Sequence, residues 1–244
     1  MTSDAAATAS PAPVACPAQV TSALAAAATI GPFFALGTDA AGPGWRPATR
    51  FYRAGPDCFL ARAAGRLAAA EPRVAASIAQ QDYAARLWSP VLGCGLLQAT
   101  VPDLTGLLIH NEVAATPPVL AVPQPRGWRI GDLATLAALA YQVVAAAHLE
   151  PLAGALSSHV AGGLLWGNTA SAMVGALEVL VRARPGLREP ATELAATLLA
   201  TGRLAGTGQL GVTGAGLGFR RRSCCLYYRL PGGGLCGDCG LTRG

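Results

Sequence analysis

The chain has 244 residues, of which 52% are hydrophobic and only 13% are charged, and its formal net charge is +5. This length and composition exclude a largely disordered chain and predict one substantial core with room for a small appendage. All of the basic residues are arginines, and they are scattered except at Arg220, Arg221 and Arg222. Since there is no extended basic stripe, nucleic-acid binding is not predicted.

The N-terminal sequence has no Lys or Arg before Arg46, so it lacks the positive region of a secretory signal. We interpret residues 1–16 as a flexible tail and expect a cytoplasmic protein. The apolar run from Val20 to Gly37 is rich in Ala and is interrupted by Gly31 and Pro32, which favours a buried helix over a membrane span. The sequence therefore predicts no membrane span, and it leaves a peripheral membrane contact open.

Helical periodicity dominates the chain that follows. It predicts a helix near Pro17 to Thr29 and, after a Gly/Pro-rich link, one helix that Asp57 caps and another with Pro72 in its first turn. The Pro72 helix continues past Pro90, where we expect a kink. A second group of helices begins at Asp132, which is a candidate N-cap, and extends to the glycine-rich passage near residue 205.

The stretches LTGLLIHNE, VLAVPQP and GWRI lie between these two groups and have the pattern of short strands separated by turn residues. They predict a small antiparallel β hairpin inserted near residues 104–130. The expected fold is therefore mainly α. It consists of a helical bundle over residues 17–205 with this insertion, followed by an irregular, Gly-rich C-terminal segment, residues 206–244, that carries a metal site.

Four of the seven cysteines lie near the C-terminus, in SCCLYYRLPGGGLCGDC. Cys236 and Cys239 form a C-x2-C pair flanked by glycines, and this turn lets two thiolates reach one metal. Cys224 and Cys225 are adjacent, so only a bent backbone brings both sulfurs to one site. The residues between the pairs include a proline and three consecutive glycines, which let the chain double back.

Three interpretations of this spacing remain open. Two pairs of cysteines satisfy a [2Fe–2S] cluster, because each iron needs two protein sulfurs. A structural Zn²⁺ ion held by the same four thiolates is the competing interpretation, although adjacent cysteines fit it poorly. Disulfides or unligated thiols are the third, and a reducing compartment and an odd cysteine count disfavour them. Spacing alone favours iron–sulfur without settling the metal.

The run RRRSCCLYYRLPGGGLCGDC resembles the C-terminal signature of the FhuF-like ferric siderophore reductases, which is two adjacent cysteines, ten residues and then C-x2-C. GLLWGNTASA and YAARLWSPVLG resemble two further segments of that family, so the similarity covers roughly residues 50 to 244. The first forty residues and Cys16 have no counterpart in it. The resemblance implies a [2Fe–2S] cluster whose ligands are Cys224, Cys225, Cys236 and Cys239.

The resemblance also implies an oxidoreductase, a reductase that passes one electron to a ferric siderophore and thereby releases Fe(II). The electron would come from an external donor such as a ferredoxin or a reduced flavin system. The alternative function is a zinc-stapled helical binding module without redox activity.

Five further residues are candidates for contact with the substrate, the donor or the cluster. Arg220, Arg221 and Arg222 directly precede the first ligand, where positive charge would partly compensate a dianionic cluster. A solvated run of charge is the simpler interpretation of these arginines. Trp166 and Asn168 lie between two helical runs, and Asn168 would either cap the following helix or hydrogen-bond near the cluster or substrate.

The remaining candidates are interpreted as structural. Cys58 and Cys94 lie in Ala/Leu-rich helical patterns, where a single cysteine is usually a small buried hydrophobe. The three histidines lack the spacing of metal ligands. GTGQLG, residues 206–211, matches a dinucleotide fingerprint only formally, because neither the preceding strand nor the following helix is predicted, so we expect no nicotinamide or flavin site.

Overall fold

The computed structural model describes residues 12–53, 57–110, 119–213 and 216–241. The fold is mainly α, as predicted, with small antiparallel sheets. The helices are α1 (Pro17–Ala28), α2 (Ala48–Arg53), α3 (Asp57–Leu67), α4 (Pro72–Gln98), α5 (Leu133–Ala140), α6 (Glu150–Ala155), α7 (Gly162–Ala183) and α8 (Arg188–Leu199). A π-helical stretch, Tyr141–Leu149, joins α5 to α6. The strands are β1 (Val14–Ala15), β2 (Trp45–Pro47), β3 (Thr100–Pro102), β4 (Leu108–His110), β5 (Leu120–Ala121), β6 (Gly127–Arg129), β7 (Gly208–Thr213) and β8 (Gly216–Arg221).

Helix α4 is the centre of the fold. It packs most extensively against α7, and also against α1 and α3. Pro72 occupies its first turn, where the missing N–H is not needed. The helix continues through Pro90, and Trp88 on it is fully buried. Most residues of α4 and α7 are buried, and the C-terminal segment packs against both helices.

Three predicted helix starts are confirmed. Helix α1 begins at Pro17 and ends one residue before the predicted Thr29. Helix α4 begins at Pro72 as predicted, whereas α3 begins at Asp57 itself, one residue before the start predicted with Asp57 as its cap. Asp132 is the N-cap of α5, where its carboxylate accepts a hydrogen bond from the Thr135 N–H at 2.7 Å.

The β structure is more extensive than the predicted single hairpin. Strand β6 lies between β1 and β3 in one three-stranded sheet, and β4 lies between β2 and β5 in a second. Each sheet therefore contains one strand from the N-terminal part of the chain, β1 in the first and β2 in the second. Two-residue and three-residue strands carry too little alternation to be recognised in the sequence, and their pairing is set by tertiary packing.

Residues 14–16, which were predicted to belong to a flexible tail, are part of the folded structure. Val14 and Ala15 pair with Trp128 and Gly127, and Ala15 is buried. Cys16 then begins α1 in a capping box, in which the Gln19 side chain accepts a hydrogen bond from the Cys16 N–H at 3.0 Å. Residues 1–11 lie outside the described residues.

Two helical stretches are long and apolar enough to cross a membrane by length and composition, Leu133–Ala155 and Gly162–Ala183. In their most apolar windows, 44% and 72% of the residues are buried inside the protein. Since helix α7 is a core element in contact with α4, α8 and β8, its hydropathy is accounted for by burial.

Candidate metal centre

Strands β7 and β8 directly precede the cysteine segment in the chain. They pair as a regular antiparallel hairpin, from Gly208 opposite Arg221 to Thr213 opposite Gly216. The passage was predicted to be irregular, and the hairpin is a correction. Glycine at position 208 is needed because a Cβ there would collide with the Phe219 ring and the Arg220 carbonyl. So many glycines hide the strand alternation in the sequence.

The cysteine segment then folds back on itself. Leu226 adopts a left-handed backbone conformation, with φ of 65°, directly after Cys225, and a 3-10 turn follows at Tyr227–Arg229. A Cβ at Gly233 would collide with the Tyr227 carbonyl, so the chain can return this closely only with glycine at that position. The Arg221 N–H donates to the Asp238 carbonyl at 3.1 Å, which joins the start of the segment to its end.

This return brings one cysteine of each pair together. The Sγ atoms of Cys225 and Cys236 are 3.4 Å apart. Backbone N–H groups point at the other two sulfurs, from Leu226 to Cys224 Sγ at 3.3 Å and from Leu241 to Cys239 Sγ at 3.4 Å. Cys225 and Cys239 are buried, whereas Cys224 and Cys236 are half-buried.

Cys225 and Cys236 lie close to the separation of two thiolate ligands on one metal. Within the described residues, no three His, Cys, Asp or Glu side chains are grouped to hold a single metal ion. Two thiolates on one tetrahedral metal are roughly 3.7 Å apart for metal–sulfur bonds of about 2.3 Å, which is close to the Cys225–Cys236 separation. N–H donors to ligand sulfurs are typical of iron–sulfur sites, whose potential they tune. The spacing of Cys225 and Cys236 and the N–H groups at Cys224 and Cys239 are compatible with metal ligation by these cysteines.

The surroundings of Cys236 favour its protonated form. Burial, a hydrogen bond with Cys225 and the Asp238 carboxylate all raise the pKa of Cys236 above its usual range. Metal ligation requires the thiolate, so the incoming metal has to displace this proton.

Arg221 is buried directly before the cysteines, although it lies in a charged run. Its side chain is 0% exposed, and its guanidinium donates hydrogen bonds to Asn168 Oδ1 and to Gln81 Oε1. Its Nε lies 3.9 Å from Asp238 Oδ2, and neither of these two atoms has a hydrogen-bond partner in the described residues. Arg221 therefore anchors the cysteine segment to α4 and α7. The interpretation of this residue as solvated charge is wrong, whereas Arg220 and Arg222 are exposed.

Helix α7 has a glycine where the cysteine segment packs against it. A Cβ at Gly167 would collide with Ser223 Oγ, so glycine leaves the space that Ser223 occupies. Asn168 lies inside α7, so the expectation that it caps a helix is wrong. Its side-chain amide donates to the carbonyl and hydroxyl oxygens of Ser77, and the Ser77 hydroxyl donates to the Cys225 carbonyl at 2.6 Å. The hydrogen-bonding alternative for Asn168, near the cluster, agrees with these contacts.

Three further residues singled out in the sequence, Trp166, Cys94 and His148, are buried or half-buried. Trp166 is half-buried and packs against the core. Cys94 is buried, and burial raises its pKa to about 12, as expected of a small hydrophobe. The side chain of Cys58 lies outside the described residues. His148 is buried and hydrogen-bonded to Tyr52 and to the Leu104 carbonyl, which confirms its structural role.

A groove of about 910 Å³ opens beside the cysteines, and no motif in the sequence predicted it. It is lined by residues of α4 and α7, of β8 and the cysteine segment, and of the 3-10 turn Pro32–Phe34. Cys225, Cys236 and Asp238 line it. A small molecule in this groove would therefore lie against two of the four cysteines.

Residues 221–240 match the family model described as the FhuF 2Fe-2S C-terminal domain. This match includes all four clustered cysteines and confirms, for that segment, the resemblance found in the sequence. It indicates a [2Fe–2S] cluster as the cofactor. No curated protein matches the chain.

Proposed function

We propose that the protein is a ferric siderophore reductase, an oxidoreductase that transfers one electron to a chelated Fe(III) ion. The observation that carries this proposal is the [2Fe–2S] domain match over residues 221–240, which falls on cysteines that line an open groove. We propose Cys224, Cys225, Cys236 and Cys239 as the cluster ligands. A cluster bound there supplies one-electron transfer.

The reaction is an electron transfer that requires little or no covalent bond making or breaking by the protein's own residues. An external donor, such as a ferredoxin or a reduced flavin system, supplies one electron, and Fe(III) in the chelate becomes Fe(II). Fe(III) is a hard ion that oxygen chelators hold tightly, whereas Fe(II) binds them far less well, so reduction releases the metal. The chelator keeps its own bonds throughout. We propose the cytoplasm as the compartment, because thiols stay reduced there.

The protein's own residues hold the site and set its charge. Arg221 places a buried positive charge 3.9 Å from the carboxylate of Asp238, which lies between Cys236 and Cys239 in the chain. The N–H groups of Leu226 and Leu241 stabilise two of the sulfurs as anions. These contacts favour a higher reduction potential than the same four thiolates would give without them.

An anaerobic assay tests this proposal. Protein reduced with dithionite is mixed with a ferric tris-hydroxamate chelate, and released Fe(II) is captured by a coloured ferrous chelator. We expect Fe(II) release together with reoxidation of the visible absorbance. A protein whose absorbance bleaches with dithionite but stays bleached in the presence of ferric chelates would contradict the reductase function. A colourless protein that holds stoichiometric zinc would favour the zinc-stapled binding module instead.

A further inference from the structure

The groove beside Cys225 and Cys236 has an unusual concentration of exposed apolar side chains. Phe33, Val179 and Tyr227 line it, and they are 38%, 44% and 41% exposed. They come from three separate parts of the chain, yet they face one cavity. Exposed apolar side chains gathered at one place mark a binding surface more often than scattered ones do.

The charged groups of the groove neutralise one another. Asp82 bonds to Arg86 at 3.1 Å, and Glu178 pairs with Arg182. The third carboxylate, that of Asp238, faces the buried Arg221. Each acid in the described lining thus has an arginine beside it, and a ligand carrying several negative charges would find no unpaired guanidinium. The lining suits a ligand with little net charge and an apolar outer surface.

Phe33, on the 3-10 turn that lines the groove, makes a cation–π contact with Arg86. The guanidinium carbon of Arg86 lies 4.4 Å from the centroid of the Phe33 ring, and the same guanidinium is fixed by Asp82. Phe33 belongs to the first forty residues, which have no counterpart in the family that the chain resembles. This part of the chain therefore contributes directly to the cavity beside the cysteines.

We propose that this groove is the docking site of the ferric chelate, with Phe33, Val179 and Tyr227 against the outer surface of the chelator. The inference rests on the proposed function and adds to it the place where the substrate binds. A chelate in this groove lies against Cys225 and Cys236, so the electron crosses only a short distance. The site selects compact chelates of small net charge, because the lining offers apolar area and no unpaired charge.

Gly175 allows the groove to be blocked without disturbing the fold. It lies on α7 and lines the groove, and a Cβ at this position would meet nothing within 4 Å. Gly175→Leu therefore fills part of the cavity and also improves helix propensity. Gly154→Leu is the matched control, because Gly154 lies on α6, outside the groove lining, and is equally open.

Two measurements test the proposal. Binding of the gallium(III) tris-hydroxamate chelate, which is not reducible, is followed by calorimetry on the cluster-loaded full chain, and Fe(II) release from the ferric chelate is followed separately. For Gly175→Leu we expect at least a tenfold weaker Kd for the gallium chelate and a similar rise in KM, with unchanged cluster absorbance and unchanged reduction by dithionite. Phe33→Ala should weaken Kd severalfold, and Gly154→Leu should match the unsubstituted protein.

The outcomes separate this inference from the function on which it rests. If the unsubstituted protein and both Gly175→Leu and Phe33→Ala release Fe(II) with the same KM, the docking site is wrong and the reductase function stands. If the unsubstituted protein neither binds the gallium chelate nor releases Fe(II), although its cluster is reduced by dithionite, both proposals are overturned.

Discussion

Substitution of Arg221 by Met should destabilise the protein more than any change in its exposed neighbours. The change leaves Asp238, whose side chain is only 15% exposed, without its nearby positive charge, and it removes hydrogen bonds to Asn168 and Gln81. Removing one member of a buried ion pair costs about 3–5 kcal/mol. The Arg221–Asp238 separation of 3.9 Å exceeds hydrogen-bond length, so we expect a smaller cost than for a hydrogen-bonded pair, about 2–4 kcal/mol in the free energy of unfolding.

The assay is urea unfolding of the full chain after the metal has been removed with a chelator, so that cluster loss does not enter the transition. Arg222→Met is the control, since Arg222 is exposed and its loss should change stability by about 0.5 kcal/mol or less. Adding Asp238→Asn to Arg221→Met should recover at least about 1 kcal/mol, because the unpaired carboxylate is then gone. Equal effects of Arg221→Met and Arg222→Met, or no recovery in the double variant, would refute the anchoring role of Arg221.

Three other outcomes follow from particular contacts. Gly167→Ala should destabilise the chain by about 1–3 kcal/mol in urea unfolding, because the new methyl group displaces Ser223; an effect below about 0.5 kcal/mol would show that the contact is not close. Burial lowers the pKa of His148 below its usual value, so the unfolded chain takes up a proton first and the free energy of unfolding should fall as the pH drops below about 6.5. His148→Gln should have a flatter stability profile between pH 7 and pH 5, and an unchanged slope would contradict this assignment. Cys94→Ala should leave the cluster absorbance intact, and loss of the cluster would show that Cys94 is more than a buried hydrophobe.

The sequence predicted the helices well where local signals were strong. Asp132 followed by a periodic apolar run is a start signal that needs no tertiary information, and the observed cap confirms it. The cysteine spacing indicated the metal segment in the same way, since ligand types and their intervals are properties of the chain alone. Its assignment to four particular ligands stays a prediction.

The parts that were missed depend on distant contacts. Strand β1 is recognisable only once β6 lies beside it. Arg221 looks like a surface residue because its partners, on α4, α7 and the C-x2-C turn, are far away in the sequence. Gly167 and Asn168 belong to a motif that the sequence shows. Their contacts with Ser223 and Arg221, which explain these residue types, exist only in the folded protein.

The central claim is that four cysteines near the C-terminus hold a [2Fe–2S] cluster. Iron, zinc and acid-labile sulfide determined on protein purified without oxygen test this claim most directly. We predict about two irons and about two sulfides per chain, and a Cys236→Ser variant that has lost most of both. Protein with zinc and without labile sulfide, or a Cys236→Ser variant with undiminished iron and sulfide, would contradict it.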